Sequence, residues 1–359
     1  FFSCGRILLV NISSGAPASL LKSNLHLLTS GALFLFTLIV RIMNLDNPPT
    51  LMVDEVYYVP AAKSILEADG DPNYVHPPLG KLLIALGIAV FGYNSFGWRI
   101  TGAVAGSIII PVTYLLGRKA FGDAAAVASS ALLILDPLMH VMSRIAMLDI
   151  FLALFVALAF LGVCYNRLYL SAVALGLACG VKLVGAFAVV GVAAYLICTR
   201  RTGKVARLLP VAFLTFLLSL LPVVLSRDSS PFLGSFWFSV TWHLTLDSTH
   251  PSASLPLGWL VNMVPFPIYS APGLNIAATA NPFVYPVALP VASLLGYDAL
   301  RKRRCQPRIL PVFWLVSVYG LFFALPRKTQ FIFYLLPTVP AITLLVSYGI
   351  VQAFSYLSK

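Results

Sequence analysis

The sequence predicts an all-α polytopic membrane protein of about ten spans, with one amphipathic helix lying on its outer face. Three observations carry that reading. The 359 residues are 59% hydrophobic and 10% charged, with a mean hydropathy of +0.91, whereas a soluble domain is about a quarter charged. Uncharged runs recur along the whole chain, most of them long enough to cross a ~30 Å hydrocarbon core as helices. The basic residues lie in short clusters between those runs, where cytoplasmic turns of membrane proteins carry them. The formal net charge of +12 therefore speaks of orientation, not of nucleic acid. No basic face with interleaved aromatics occurs outside the apolar segments.

The runs fall at 25–40, 100–117, 124–142, 145–163, 168–181, 183–199, 208–225, 282–298, 309–325 and 331–353. The 168–181 run is short and meets Lys182 at once, so it and the next run read as a broken or tilted hairpin. A further run, Leu79–Phe91, reaches only ~20 Å as a helix, and charge decides its place. With 79–91 lying on the outer surface and the N-terminus cytoplasmic, the cytoplasmic turns collect Arg118, Lys119, Arg167, Arg200, Arg201, Lys204, Arg207, Arg301–Arg304 and Arg308. If 79–91 spanned, the 200–207 and 301–304 clusters would face outward, against the positive-inside rule. The expected organisation is one membrane domain over 1–359 with two long outer segments, 43–98 and 226–281. No repeat of 20–50 residues is evident.

The cysteines, Cys4, Cys164, Cys179, Cys198 and Cys305, form no CxxC and no zinc spacing with histidine. All five read as structural, with no disulfide framework. The chain opens on Phe1-Phe2 and not on Met, which leaves room for residues upstream.

Ionisable residues outside the basic clusters gather at the outer boundary: Arg41, Asp54, Glu55, His76, Lys81, Arg99, Arg144, Asp149, Lys182, Arg327 and Lys328, with only Asp136 set apart. Charge at membrane depth costs a few kcal/mol and marks function by default. In Leu51–Tyr58 the adjacent carboxylates Asp54 and Glu55 would point about 100° apart on a helix and so do different work. One suits a general base, the other a metal or an arginine; a plain helix cap is the bland alternative. In Tyr74–Lys81 two prolines hold the chain extended and fix His76 at a helix entrance, where it could meet a phosphate, a metal or a proton. Ser143–Asp149 puts a cation and a carboxylate at one turn between spans, though a cap with a snorkelling arginine would look the same. Lys182, Arg327 and Lys328 defy the orientation rule and suit a phosphate ester or diphosphate, with lipid headgroups as the competing partner. Trp237, Trp242, His243, Asp247, His250 and Trp259 in 226–281 form either an interfacial aromatic belt or an acceptor groove.

Taken in order, these fragments resemble the dolichyl-phosphate-mannose–protein O-mannosyltransferase family. The matching string is Arg41…Asp54-Glu55, His76-Pro77-Pro78-Leu79-Gly80-Lys81, Gly97-Trp98-Arg99, Ser143-Arg144…Met147-Leu148-Asp149 and Gly176…Gly180-Val181-Lys182. It continues through His250-Pro251, Pro256-Leu257-Gly258-Trp259 and Asn281-Pro282 to Arg327…Phe331…Tyr334…Pro337, covering about 35–345. The resemblance implies a GT-C-type glycosyltransferase fold and an outer-face site. Asp54 would be the base that deprotonates a Ser/Thr hydroxyl, with Glu55 its partner held by Arg41 or Arg99. The departing polyprenyl (dolichyl) phosphate and its sugar would be met by residues among Arg41, His76, Arg99, Arg144, Asp149, Lys182, Arg327 and Lys328. Trp242, His243, His250 and Trp259 would form the acceptor loop.

The family's Asp two residues before the motif histidine is Tyr74 here, with Asp71 an open substitute. Its Gly before Asn281 is Ala280, and its Trp after the membrane lysine is Leu183. A relative in the wider superfamily transfers aminoarabinose to lipid A, which keeps a lipid acceptor open. It carries a metal near the position of His76, which leaves a divalent cation open as well, with His76 and Asp54 as ligands. No other cofactor is implied. A transporter would put charge at the bilayer midplane and show symmetric repeats; neither pattern is present beyond Asp136. A partner subunit without chemistry would have no use for the Asp54-Glu55 pair.

Overall fold

The computed structural model describes residues 18–228 and 230–358. Cys4 lies outside the described residues. The chain forms α1 (Ala18–Ile42), α2 (Glu55–Leu66), α3 (Leu79–Phe91), α4 (Ser95–Phe121), α5 (Asp123–Ile134), α6 (Pro137–Met142), α7 (Leu148–Cys164), α8 (Leu168–Val181), α9 (Ala186–Cys198) and α10 (Thr202–Val224). There follow α11 (Ser230–Thr245), α12 (Pro256–Trp259), a hairpin of β1 (Phe266–Ala271) and β2 (Leu274–Ala278), α13 (Ala288–Lys302), α14 (Leu310–Trp314) and α15 (Val339–Leu357). Among the described residues five segments are long and apolar enough to cross a membrane: 25–42, 95–121, 202–224, 307–324 and 332–357. The other expected runs are shorter helices, and 168–181 and 183–198 are separated by a break at Lys182, whose backbone is extended. α3 stays a 13-residue helix, packed by one face on α4 and α8.

The helices meet through small residues, as bundles in lipid do. Gly176 and Gly180, one turn apart on α8, lie against α10. A Cβ on Gly176 would come within 2.3 Å of the Ala212 carbonyl oxygen, and one on Gly180 within 2.3 Å of Ser219 Oγ. Gly106 of α4 admits Ser143 in the same way, at 2.4 Å. The core behind these contacts runs through α7, which is buried along almost its whole length.

The basic turns are joined at one end of the bundle. Lys119 lies over the Tyr165 ring at 5.7 Å, Arg201 donates to Asn166, and Cys198 and Cys305 are linked, with Cα atoms 6.0 Å apart. That link corrects the expectation of cysteines without a disulfide: residues 107 apart in sequence come together only because the turns after α9 and α13 are neighbours. Asp54, His76, Arg99, Asp149 and Lys182 occupy the opposite helix ends. Asp136, the charge set apart, caps α6 through Met139 N–H (2.8 Å) and accepts from Tyr285 Oη–H (2.7 Å).

The second long segment, 226–281, has more order than a loop, and its hairpin departs from an all-α expectation. Pro272-Gly273 joins the strands with Gly273 at φ +80°, a value glycine adopts freely at the third position of a type II turn. The antiparallel register pairs Phe266 with Ala278 and Ala271 with Leu274.

Candidate active site

The acidic pair sits at the start of α2, and its two members have separate fates. Glu55 is fully buried and accepts four hydrogen bonds. Two come from Arg99, Nε at 2.9 Å and Nη2 at 2.8 Å, and two from backbone N–H groups, Met52 at 2.9 Å and Ala146 at 2.8 Å. A carboxylate has about four acceptor positions, so Glu55 is saturated. Arg99 is equally committed, since its remaining donors reach the carbonyls of Leu45, Pro48 and Thr50. Of the two arginines expected for Glu55, the structure selects Arg99. The bond to Ala146 also ties the pair to the turn preceding Asp149.

Asp54, one residue earlier, has no cation within ion-pair distance among the described residues. Among the described residues its one side-chain hydrogen bond is from Tyr58 Oη–H, at 3.4 Å. Burial raises the Asp54 carboxyl above the ordinary carboxylate range; Lys182 pulls it back, and Asp149 adds to the rise. Tyr58, four residues on and so on the same helix face, meets the His76 ring edge-on with centroids 6.0 Å apart.

His76 is presented by a loop that Lys81 holds. From the first turn of α3 the Lys81 ammonium reaches back to the Asp71 carboxylate and to the carbonyls of Asn73 and His76. Asp71, the open substitute of the sequence, is thus the partner of Lys81. The His76 ring stacks on His243 with centroids 4.6 Å apart. His243 donates from Nε2 to the Val75 carbonyl (2.7 Å) and accepts at Nδ1 from Arg327 (3.2 Å), which fixes the neutral tautomer. Burial, seconded by Arg327 and Lys182, lowers His243 to about 4. Burial and nearby cations also hold His76 well below the usual imidazole range.

A cavity of about 40 Å³ opens beside these rings, lined in part by His76, Asp149, Lys182, His243, Arg327 and Tyr334. Asp54 does not line it but feels the charges of Lys182 and Asp149, which do. Lys182 pairs with Asp149 at 2.7 Å and lies 5.4 Å from the Tyr334 ring centre. Arg327 donates to the Thr329 carbonyl (2.6 Å), His243 and Tyr334 Oη (2.8 Å), and its guanidinium lies 5.3 Å from the Trp242 ring centre. Two N–H groups on each cation remain free by count, enough to receive a phosphate.

Other expected donor residues are placed elsewhere. Arg144 spends four N–H groups on carbonyls at and just past the end of α1, those of Val40, Arg41, Met43 and Asn44, at 2.8–3.2 Å. It is a helix C-cap. Arg41 donates to Ser143 Oγ at 2.9 Å in the α1–α4 interface, and Arg99 is occupied by Glu55. Lys328 points away from Arg327, as neighbours on an extended segment do, and pairs with Asp247 at the surface (2.5 Å). Of the residues expected in an acceptor loop, His243 lines the cavity and Trp242 meets it only through the Arg327 guanidinium. His250 stacks on Phe266, and Trp259 is a core residue that donates to Ser254. Tyr58 and Tyr334 had no assigned role in the sequence; the i,i+4 spacing of Asp54 and Tyr58 was the available signal for the first. No group of three His, Cys, Asp or Glu among the described residues converges as a metal site, so no step below is routed through a metal.

The fold is that of the GT-C membrane glycosyltransferases. It superposes on ArnT from Cupriavidus metallidurans bound to undecaprenyl phosphate with a TM-score of 0.65, at 19% identity, over 89% of this chain and 60% of that one. An archaeal oligosaccharyltransferase, AglB from Archaeoglobus fulgidus, matches at 0.56 and 13% identity, over 94% of this chain and 51% of that one. In sequence, two dolichyl-phosphate-mannose-protein mannosyltransferase family models match residues 31–98 and 75–226, so the chain is similar to that family over 31–226. Relatives include polyprenol-phosphate-mannose–protein mannosyltransferases of Mycolicibacterium smegmatis, 42% identical over 132 residues or 34% of this chain, and Mycobacterium tuberculosis, 38% identical over 143 residues or 37% of this chain. Those matches span 26% and 27% of the relatives' own length.

Proposed function

We propose that this protein transfers mannose, or a related hexose, from a polyprenyl phosphate to Ser/Thr hydroxyls of translocated proteins, on the non-cytoplasmic face and with inversion. The observation that carries the reading is the division of the acidic pair. Glu55 is neutralised by Arg99, which leaves Asp54 as the carboxylate free to accept a proton beside a cavity bearing Lys182 and Arg327. The family and its named relatives support the donor class.

In the reaction Asp54 takes the hydroxyl proton as the acceptor oxygen attacks the anomeric carbon. The bond from that carbon to the phosphate oxygen breaks on the opposite side, and its electron pair leaves with polyprenyl phosphate. Lys182 and Arg327 meet the charge so released. A raised carboxyl is the better base for a weakly acidic alcohol, and preoriented cations lower the barrier where charge develops. At about 40 Å³ the cavity is too small for a hexosyl phosphate, so binding entails displacement of side chains that line it.

A lipid acceptor is the second reading. An aminoarabinose arabinosyl transferase of Pseudomonas aeruginosa is 27% identical to the chain over 337 residues, 86% of this chain. Purified protein would be given radiolabelled polyprenyl-phosphate mannose with a Ser/Thr-rich peptide or, separately, with lipid A. Label on the peptide, with the anomeric configuration reversed by NMR, is expected. Label on lipid A alone would establish the second reading, and transfer to neither would overturn both.

A further inference from the structure

A larger cavity, about 450 Å³, lies at the other end of the bundle, between the turns that follow α9 and α13. Three guanidinium groups line it, those of Arg200, Arg303 and Arg304. None has a side-chain hydrogen bond or ion pair among the described residues. The carboxylate closest in sequence, Asp298, is engaged by Lys302 at 2.8 Å and does not line this cavity. The opposite wall is apolar, with Ile309, Val312 and Phe313 at its back. Leu300 and Val316, 79% and 62% exposed, continue that wall onto the outer surface of the bundle. Cys198 and Cys305, joined to each other, also line the cavity and hold the two arginine-bearing turns together.

Three uncompensated cations at one end of an apolar slot that runs out to lipid match one kind of molecule: an anion with a hydrocarbon tail. Arginines accept phosphate oxygens through paired N–H groups. Basic pockets between helices at the positively charged membrane face are where anionic headgroups bind. A free phosphate would leave the apolar wall unused, and a zwitterionic lipid would bring its own cation against three others. We infer that this cavity binds an anionic phospholipid of the leaflet that the basic turns face, its phosphate on Arg200, Arg303 and Arg304 and its acyl chain along Leu300 and Val316. The site is independent of the transfer reaction and stands at the opposite end of the helices from Asp54.

The test is native mass spectrometry of the full chain released from nanodiscs holding equal amounts of phosphatidylglycerol and phosphatidylcholine. About a tenfold excess of phosphatidylglycerol adducts is expected, reduced to within about twofold in the Arg200→Gln/Arg303→Gln/Arg304→Gln variant. The Arg118→Gln/Lys119→Gln/Arg167→Gln variant removes the same charge from neighbouring turns and should keep the preference. Gly296→Leu fills the slot without touching the arginines. A Cβ at Gly296 meets nothing within 4 Å, so this variant folds even if the arginine variant does not, and it should lose the adduct. Equal retention of both lipids, equal loss in the two charge variants, or displacement of the lipid by millimolar inorganic phosphate would each overturn the inference.

Discussion

Replacing the two acidic neighbours one at a time should break different things. In Glu55→Gln one oxygen keeps its two donors, but the new amide NH₂ faces two more, an Arg99 nitrogen and a backbone N–H. Arg99, fully buried, loses its counter-charge, and breaking a buried pair by removing one partner costs about 3–5 kcal/mol. Because the same arginine grips the carbonyls of Leu45, Pro48 and Thr50, the segment from Leu45 to α2 should loosen as a unit. Asp54→Asn removes no ion pair and no capping bond, since the Asp54 side chain caps nothing in α2. It should leave the unfolding midpoint in detergent, followed by tryptophan fluorescence, where it was, while transfer falls by about 10²–10⁴, the usual worth of a general base. Glu55→Gln should lower that midpoint by many degrees, with activity lost in proportion to the folded fraction. The reasoning is refuted if Glu55→Gln melts with the parent protein yet transfers nothing, or if Asp54→Asn folds normally and keeps full transfer.

Lys182→Ala and Arg327→Ala should each raise the donor KM by about 10–100-fold, the worth of a charge-assisted hydrogen bond, with little change for the acceptor; equal weakening of both would mean that these cations only hold helices together. Arg144→Ala should leave the donor KM unchanged and cost about 2 kcal/mol or more of stability, because the Val40, Arg41 and Met43 carbonyls lose this donor while Asn44 keeps the Asn47 N–H; a donor KM defect at full stability would return Arg144 to the site. The base works deprotonated and burial raises its pKa, so kcat/KM should fall on acidification at a pH above the ordinary carboxylate value, and His243→Gln should leave that limb in place. His243 titrates at about 4 when folded against about 6.5 when unfolded. Between those values the unfolded chain binds the extra proton, so stability is complete above about pH 6.5 and declines by up to about 3 kcal/mol on the way to pH 4. Chemical denaturation at pH 7 and pH 4.5 measures that slope, and its absence in the parent protein would show His243 to be charged.

What the sequence made legible was whatever depends on chain order and charge sign. The gathering of Asp54, His76, Lys182 and Arg327 on one side follows from how apolar runs alternate with basic turns, whereas of the ten runs expected to span only five segments among the described residues are long and apolar enough to do so. What it left open depends on direction and distance. Two adjacent carboxylates read alike in a string, and only the fold decides that Glu55 faces Arg99 while Asp54 does not. The Cys198–Cys305 link needed the neighbourhood of two distant turns. The hairpin over 266–278 was signalled by Pro272-Gly273 between short alternating segments, a weaker pattern than the apolar runs around it.

The arginines show most clearly why composition at a boundary overcounts a site. Arg41, Arg99, Arg144 and Arg327 all lie outside the basic clusters and all resemble phosphate ligands in sequence. Each must first satisfy its own N–H groups where water is scarce, and each unmet donor there costs free energy. Arg99 has no N–H left over. Arg144 has one, and Arg41 is enclosed between α1 and α4, with one nitrogen buried and without a partner. Arg327 alone among them keeps spare donors next to a cavity, because His243, Tyr334 and the Thr329 carbonyl take only three. A charge near the membrane becomes a binding residue through the donors left after the fold has taken its share, and by that count Arg327 and Lys182 are the pair to which a departing phosphate would turn.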